Sequence, residues 1–201
     1  MKNTVFYLGS SVTRGVGGDT EGSSFAEPIA RKTGWAFCKE AVSGTTLARR
    51  NEGDDSYVSR LVNLDFTKKP CALVVQLSTN DFSQGVPLGT VSGRTCEEEC
   101  DATQTTGAIE YILAYVRKRS PVTQVVLYTC PLAPTFPSYA QYADYIQGTL
   151  RELAAVHGLR VVDLFSAPAP ADCLQPDGLH PTRAGYEKLF VPALLNVLLA
   201  L

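Results

Sequence analysis

Histidine is scarce in this chain, with two copies among 201 residues, and tryptophan and methionine occur once each. The sequence also lacks an uninterrupted stretch of about 20 apolar residues, the length that a helix needs to cross a bilayer. The apolar stretch 190–201 is broken by Pro192 and Asn196, and we expect it to form a helix that packs on the core. We therefore expect no membrane-spanning helix and no binding to membranes.

An excess of one charge is lacking as well, because 18 basic and 20 acidic side chains leave a formal net charge of -2. Nucleic-acid-binding proteins have a strongly basic surface, so we do not expect nucleic acid as a partner. Repeats, low-complexity tracts and linker-like segments are also absent, which predicts one domain over residues 1–201. The apolar residues 5–8 end at Gly9, too early for the hydrophobic segment of a signal peptide, and this predicts a cytoplasmic protein.

Six cysteines are present, at positions 38, 71, 96, 100, 130 and 173. A chain of this length forms a sufficient core without disulfides, so we expect these residues to be free thiols. Cys96 and Cys100 have the spacing of one helical turn, which suits a pair of thiols or two ligands of a metal ion. A tetrahedral site needs further cysteines or histidines, and none lies near these two in the sequence. We therefore expect neither a metal ion nor another cofactor.

Short apolar runs with the character of buried strands recur along the chain. They cover residues 5–8, 35–42, 72–77, 125–128 and 161–164. Patterns with helical spacing lie between these runs. Strands that alternate with helices are typical of a parallel sheet, so the sequence predicts an α/β fold.

Three helices have clear signals. Ser24 and Glu27 have the spacing of a capping box, and the helix that follows is expected to end near Gly34. Apolar residues recur every three or four positions over 109–116, and three basic residues follow, which suits the negative C-terminal end of a helix. The segment 138–156 is predicted to form another helix, which a histidine and a glycine close.

One connection is unusually long. The segment from Phe82 to Thr106 exceeds the ordinary length of a link between a strand and a helix, and it contains three glycines and a proline. Long loops of this kind frequently belong to binding sites. We interpret the segment as an active-site loop or lid.

Polar residues follow four of the predicted strands. Ser11 follows the first strand, Gly44 the second and Asn80 the third, and Asp177 and His180 follow the fifth. Ligands of open parallel sheets bind beyond the carboxyl ends of the strands. We therefore expect these residues to converge at one edge of the sheet.

These residue types can supply the parts of a serine hydrolase. A hydroxyl group is a weak nucleophile unless a base takes its proton, a third group orients the base, and donors stabilise the oxyanion. Ser11 is the candidate nucleophile, His180 its base, and Asp177 the group that orients the base. Gly44 permits a close approach of the backbone to a substrate, and Asn80 adds a side-chain amide donor.

Taken singly, each of these residues has an ordinary structural explanation. Serine is common in turns and at helix N-termini, asparagine at a strand end suits an Asx-turn, and a histidine before proline fits a surface position. Their joint placement after the strands favours catalysis. The second histidine, His157, precedes Gly158 at the predicted end of a helix. We expect it to cap that helix or to interact with its dipole.

The motifs resemble those of the SGNH, or GDSL, hydrolase family over nearly the whole chain, with Ser11, Gly44, Asn80 and His180 at the four named positions. The first motif reads Gly-Ser-Ser-Val-Thr where Gly-Asp-Ser is common, and serine stands at 78 where glycine is usual. The resemblance implies a flavodoxin-like three-layer α/β/α sandwich with a five-stranded parallel sheet and metal-free ester hydrolysis. It implies an oxyanion hole formed by the backbone amides of Ser11 and Gly44 and the side chain of Asn80. It also favours Ser11 over Ser10 as the nucleophile.

Two other classes of protein are considered beside the hydrolase. Gly9, Gly15, Gly17 and Gly18 follow the first strand, where phosphate groups bind in nucleotide-binding folds. Their spacing matches neither G-x-G-x-x-G nor the P-loop, which argues against a nucleotide. A non-catalytic binding module can also have the fold of an enzyme, because fold alone does not determine function.

The substrate is expected to be a small-molecule ester. The resemblance favours removal of acetyl or other short acyl groups from a carbohydrate or small metabolite through an acyl-enzyme, and the alternative is a short-chain lipase or thioesterase. Tyr139, Tyr142 and Tyr145 recur at every third position after the fourth predicted strand, where aromatic rings suit the flanks of a sugar or an acyl chain. We expect them instead to pack inside the domain. Nothing in the sequence indicates the oligomeric state.

Overall fold

A computed structural model describes residues 3–18 and 23–201. Its centre is a parallel five-stranded sheet with the strand order β2-β1-β3-β4-β5. The strands are β1 (Thr4–Gly9), β2 (Ala36–Ala41), β3 (Ala72–Gln76), β4 (Gln124–Tyr128) and β5 (Arg160–Val162). The predicted α/β fold with a five-stranded parallel sheet is confirmed, and each strand starts within one residue of its predicted position.

Helices connect the strands. They are α1 (Ser11–Arg14), α2 (Ala26–Thr33), α3 (Tyr57–Arg60), α4 (Thr79–Ser83), α5 (Thr105–Arg119), α6 (Tyr139–Tyr145), α7 (Arg151–His157), α8 (Arg183–Gly185) and α9 (Val191–Leu199). Two π-helical turns, Ile146–Leu150 and Tyr186–Phe190, join α6 to α7 and α8 to α9. Short 3-10 turns cover Leu61–Asn63, Phe66–Lys68 and Glu97–Glu99.

The predicted capping box is formed only in part at the start of α2, because Phe25 occupies the N-cap position and the Ser24 hydroxyl does not accept from the Glu27 backbone. The backbone N–H of Ser24 donates to the Glu27 carboxylate at 2.7 Å, and the Ser24 hydroxyl accepts the N–H of Ala26 at 3.3 Å. Gly34 ends the helix with φ 69°, a conformation that favours glycine. The helices predicted over 109–116 and 138–156 are confirmed as α5 and as α6 to α7.

Neighbouring aromatic residues of β1 show how the layers pack. Side chains that are adjacent in a strand point to opposite faces of the sheet. The Tyr7 ring contacts Phe25, which precedes α2, and Phe25 stacks on Phe190, which precedes α9. On the other face the Phe6 ring contacts Phe66, which reaches α5. Helices therefore cover both faces, which explains why β1 and β3 are apolar along almost their whole length.

The segment 82–106 does not cover the site as a lid, although its first part reaches the site, where Gln84 donates to the Gly44 carbonyl. Most of this segment packs along α5: Ser92 and Gly93 donate to the Glu110 carboxylate, and Glu97 pairs with Arg119 at 2.6 Å. Arg119 ends α5 just before β4 begins, at the edge of the sheet opposite to the carboxyl ends of the strands. Hydrogen bonds and ion pairs thus hold the segment against a helix instead of over the strand ends.

Candidate active site

Ser11, His180 and Asp177 meet beyond the carboxyl end of β1. The Nε2 atom of His180 lies 2.8 Å from the Ser11 hydroxyl oxygen, and its Nδ1 atom lies 2.6 Å from a carboxylate oxygen of Asp177. The three side chains form a continuous hydrogen-bonded chain that joins residues 169 positions apart. Ser11 is 7% exposed, and the His180 and Asp177 side chains are 21% and 50% exposed. The imidazole is therefore open to solvent and in contact with the hydroxyl.

A hairpin holds the acid and the histidine. The backbone of Gln175 donates to the His180 carbonyl at 2.7 Å, and Gly178 has φ 74° at the turn. One oxygen of Asp177 accepts the backbone N–H groups of Leu179 and His180, both at 2.9 Å. The other oxygen remains for the imidazole ring. The Asp-Gly-Leu-His order thus fixes the acid and the histidine relative to each other through local contacts.

The hairpin packs closely against the loop after α1. A side chain at Gly17 would bring its Cβ within 2.2 Å of the Pro181 carbonyl oxygen, and Gly17 has φ 87°. A Cβ atom at Gly15 or at Gly18 would lie 2.4 Å from the carbonyl oxygen of Ser23. Close backbone contacts therefore account for these glycines, which the phosphate-binding alternative used as its signal.

Asp177 is held in its ionised form. Burial raises the pKa of its carboxyl group, but hydrogen bonds from the His180 ring and from the backbone of Leu179 and His180 outweigh that effect, so the pKa is lowered overall. An ionised carboxylate beside Nδ1 keeps the proton of the ring on that nitrogen, and Nε2 is then free to accept a proton.

Ser10 has a different environment from Ser11. It is fully buried, and its hydroxyl accepts a hydrogen bond from the Gln76 side-chain amide at 3.1 Å. The side-chain oxygen of Gln76, Oε1, accepts hydrogen bonds from the backbone N–H of Ser10 and from the hydroxyls of Thr13 and Tyr128. Ser10 therefore belongs to a buried polar network beneath the site. Nothing in the local sequence around Gln76 indicates this network.

Gly44 lies in the loop after β2 and Asn80 in the first turn of α4, after β3, so the two residues flank Ser11 on either side of β1. The Asn80 amide donates to the Thr45 carbonyl at 2.9 Å and has a second N–H for another acceptor. Gln84, at the end of α4, donates to the Gly44 carbonyl at 2.9 Å. Gly44 has φ 81°, which favours glycine, and Ser11 begins α1, where a backbone N–H has no helical partner.

Asp81 anchors the loop that follows Gly44. Its carboxylate accepts the backbone N–H of Leu47 at 2.7 Å and of Ala48 at 3.2 Å, and the Thr105 hydroxyl at 3.1 Å. Burial raises the pKa of this carboxyl group, and the hydrogen bonds offset only part of the rise. Nothing in the sequence pattern indicates that Asp81 binds the loop after β2.

An open groove of about 500 Å³ lies beside the hairpin. Its walls include Leu132, Pro134, Tyr139, Phe165 and Gly178. The ring centroids of Tyr139 and Phe165 are 5.0 Å apart. Every side chain in the described part of the chain that lines the groove is uncharged. The other two tyrosines of the periodic set are buried in the core, as predicted.

His157 lies away from this edge in the last turn of α7, and it does not cap that helix, which was one of its two predicted roles. Its Nε2 atom is 3.0 Å from a carboxylate oxygen of Glu110, and both side chains are almost completely buried. Gly158, with φ 64°, ends α7 without help from the imidazole. The ring therefore binds a side chain of α5 instead of capping its own helix.

All six cysteines are free thiols. Within residues 3–18 and 23–201, no group of three histidine, cysteine or acidic side chains is arranged to hold a metal ion. Over the same residues, none of the helices has the length and apolar character to cross a membrane.

The model of the GDSL-like lipase/acylhydrolase family matches residues 7–188, so the chain belongs to this family. A protein from Lactobacillus plantarum has a similar structure, with 20% identity and a TM-score of 0.77 over 99% of this chain and 97% of that one. A family two carbohydrate esterase from Clostridium thermocellum, in complex with cellohexaose, has 19% identity and a TM-score of 0.70 over 100% of this chain and 66% of that one.

A carbohydrate esterase family 2 enzyme from Corynascus thermopiles, with a carbohydrate binding domain, has 19% identity and a TM-score of 0.63 over the same shares of the two chains. These likenesses show the fold. No curated protein sequence matches the chain. Family membership identifies the chain as a hydrolase, an esterase or acylhydrolase of the SGNH fold.

Proposed function

We propose that the chain is a serine esterase that removes acetyl or other short acyl groups from a carbohydrate or small metabolite. The observation that carries this proposal is the chain of hydrogen bonds from Ser11 through His180 to Asp177. In this order the imidazole lies between a hydroxyl group and an ionised carboxylate, which is the arrangement that activates serine.

Each reacting group has a defined role in the proposed mechanism. The Ser11 oxygen attacks the ester carbonyl carbon while its proton moves to Nε2 of His180. The imidazolium, stabilised by Asp177, then gives that proton to the departing alcohol, and an acyl-enzyme remains. Water attacks the acyl-enzyme with His180 again as base, which releases the acid and restores the Ser11 hydroxyl.

The oxyanion hole in this proposal consists of the backbone N–H groups of Ser11 and Gly44 and the side-chain amide of Asn80. These donors act most strongly on the negative oxygen of the tetrahedral intermediate. Support comes from the hydrogen bonds to the carbonyl oxygens of Gly44 and Thr45, which fix the loop and the Asn80 amide in place.

The substrate class is inferred from the groove and from the structural relatives. The groove is lined by Gly178 of the hairpin but not by Ser11 or His180, and its uncharged walls suit the part of a neutral sugar or acyl chain that extends away from the reacting ester. Two of the structures compared above are carbohydrate esterases. A short-chain lipase or thioesterase is the second candidate, favoured by the apolar part of the same walls. We propose that residues 1–201 form one domain and act in the cytoplasm on a small-molecule ester, without a cofactor, a nucleic acid or a membrane.

Turnover of p-nitrophenyl esters of increasing chain length, beside acetylated sugars, tests the proposal. We expect a steep fall in kcat/KM beyond acetate, loss of turnover in Ser11→Ala and retention of most turnover in the matched variant Ser10→Ala. A fluorophosphonate probe should label the wild type and fail to label Ser11→Ala or His180→Ala. Retained turnover in Ser11→Ala would overturn the assignment of the nucleophile. A rise in kcat/KM with chain length would favour the lipase, and absence of both labelling and turnover would indicate a binding module.

A further inference from the structure

Arg60 is a buried cation close to the candidate site. It ends α3, is 5% exposed and directs one guanidinium nitrogen, Nη2, at the end of β1 and at the loop after β2. This nitrogen donates to the carbonyl oxygen of Gly9 at 2.8 Å and to the hydroxyl of Thr45 at 3.3 Å. Gly9 lies two residues before Ser11, and Thr45 follows Gly44. One side chain thus bridges the end of β1 and the loop after β2.

The rest of the guanidinium is poorly satisfied. Nε and Nη1 of Arg60 are buried without a hydrogen-bond partner in the described part of the chain. Nε lies 3.6 Å from a carboxylate oxygen of Asp55, whose side chain is 57% exposed. Burial of a cation with unpaired N–H groups is unfavourable, and apolar residues often stabilise such positions equally well. The Tyr57 ring, whose centroid lies 5.7 Å from the guanidinium carbon, and the exposed Asp55 carboxylate give this cation few stabilising contacts, so the stability of the fold is a weak reason for an arginine here.

The bridge leads to the proposed oxyanion donors. The Thr45 carbonyl accepts the Asn80 amide at 2.9 Å, so a shift of Thr45 would move that amide. Farther along the same loop, the Asp81 carboxylate fixes the backbone of Leu47 and Ala48. The loop is thus held by a guanidinium at Thr45 and by a carboxylate at Leu47 and Ala48. Of these two groups, only the guanidinium also holds the end of β1, two residues before the candidate nucleophile.

We propose that Arg60 is a positioning residue that sets the spacing of the oxyanion hole. By joining the end of β1 to Thr45, it fixes the backbone N–H of Ser11 relative to the donors on the neighbouring loops. This inference rests on the proposed function. Donors aligned on the oxyanion stabilise the tetrahedral intermediate more than the bound ester. Loss of the bridge therefore lowers kcat and leaves KM nearly unchanged.

The test compares Arg60→Met and Arg60→Lys with the wild type in p-nitrophenyl acetate hydrolysis and in inhibition by an alkyl boronic acid, which forms a tetrahedral adduct with serine. Since loss of one oxyanion donor costs about 100- to 1,000-fold in kcat, misalignment in Arg60→Met should cost about 10- to 100-fold. Boronate affinity should fall by a similar factor. Arg60→Lys should recover part of both, because an ammonium group can still reach one acceptor. The Tm of Arg60→Met should stay within about 4 °C of the wild type.

Matched controls separate positioning from general damage. Arg117→Met removes an exposed arginine at the far end of α5 and should leave kcat unchanged. Leu194→Ala, a core truncation in α9, should lower Tm and leave kcat and boronate affinity almost unchanged. Should Arg60→Met fail to fold, Arg60→Gln and Arg60→Lys decide the question by the same two readouts.

The outcomes distinguish this inference from the proposed function. If Ser11→Ala retains turnover, the proposed function fails, and the role of Arg60 fails with it. If Ser11→Ala is inactive while every folded Arg60 variant keeps its kcat and boronate affinity, only the role of Arg60 is overturned. The role of Arg60 would also be overturned if its variants lost kcat but kept their boronate affinity. The same holds if Leu194→Ala lost as much kcat as an Arg60 variant with an equal loss of Tm.

Discussion

Two clusters in this protein contain a serine, a histidine and an acidic residue. They are the edge cluster of Ser11, Asp177 and His180, and the α5 cluster of Ser92, Glu110 and His157. Their hydrogen bonds connect the three residues in different orders. In the edge cluster the imidazole is central and contacts both other groups. In the α5 cluster the carboxylate is central and accepts from both the hydroxyl and the ring.

The order decides what each cluster can do. A hydroxyl that donates to imidazole can transfer its proton to a base whose charge a carboxylate then stabilises. A hydroxyl that donates directly to a carboxylate has no such base, and Glu110 also accepts the backbone N–H of Ser92 and Gly93. Glu110 and His157 are 1% and 3% exposed, out of reach of a substrate. Residue composition alone therefore does not define a serine hydrolase site.

The largest difference is expected when each histidine is removed. His180→Ala should lower kcat by at least about 10⁴-fold, because the proposed base is lost. His157→Ala should keep kcat within about threefold, since no atom of the α5 cluster contacts the reacting groups. Ester hydrolysis at saturating substrate measures both. Equal losses in the two variants would show that the clusters are not functionally distinct.

Replacement of the acids should give a smaller contrast in activity. Asp177→Asn should lower kcat by about 10²- to 10⁴-fold, less than removal of His180, because the base still acts when it is poorly oriented. The matched variant Glu110→Gln should have nearly the kcat of the wild type. Both values come from the same ester assay. If Asp177→Asn were fully active, the carboxylate would have no part in the reaction.

The free energy of unfolding should rank the two acid variants in the opposite order, with the larger loss in Glu110→Gln. Glu110→Gln replaces an acceptor of four hydrogen bonds by an amide that faces donors, and it should cost about 1–3 kcal/mol of the free energy of unfolding. Asp177→Asn, on a half-exposed side chain, should cost less than about 1 kcal/mol. Denaturant unfolding of the two variants measures these values. A larger loss in Asp177→Asn would mean that the hairpin, and not the α5 cluster, supports the fold.

The smallest effect concerns pH. Burial raises the pKa of Glu110, but hydrogen bonds from Ser92, His157 and Gly93 lower it by more than burial raises it. The pKa of this carboxyl group in the folded protein therefore lies below its ordinary value. Its contribution to stability is then complete above the unfolded pKa, about 4.3, and is lost as the pH falls through the folded pKa. The difference in unfolding free energy between wild type and Glu110→Gln should shrink below about pH 4. A difference that grows on acidification would contradict the lowered pKa.

Local signals explain which features the sequence predicts. Apolar runs define the five strands, and the residues after them define the convergence of Ser11, His180 and Asp177. The link between His157 and Glu110 spans 47 positions and has no local pattern, so it was missed. Arg60 and Gln76 were missed for the same reason. Segment length shows that 82–106 is unusual, but it does not show which surface the segment packs on.

The hairpin has one further consequence. Asp177 and His180 are three positions apart, and their geometry is set within a ten-residue turn anchored by a hydrogen bond between Thr182 and the Cys173 carbonyl. The rest of the domain supports this turn through the contact of Pro181 with Gly17 and the hydrogen bond from Ala133 to the Gly178 carbonyl, and it brings Ser11 to the imidazole. A transfer of this turn to another protein scaffold would therefore carry the acid and the base together. The distance from the imidazole to the serine hydroxyl would have to be restored there.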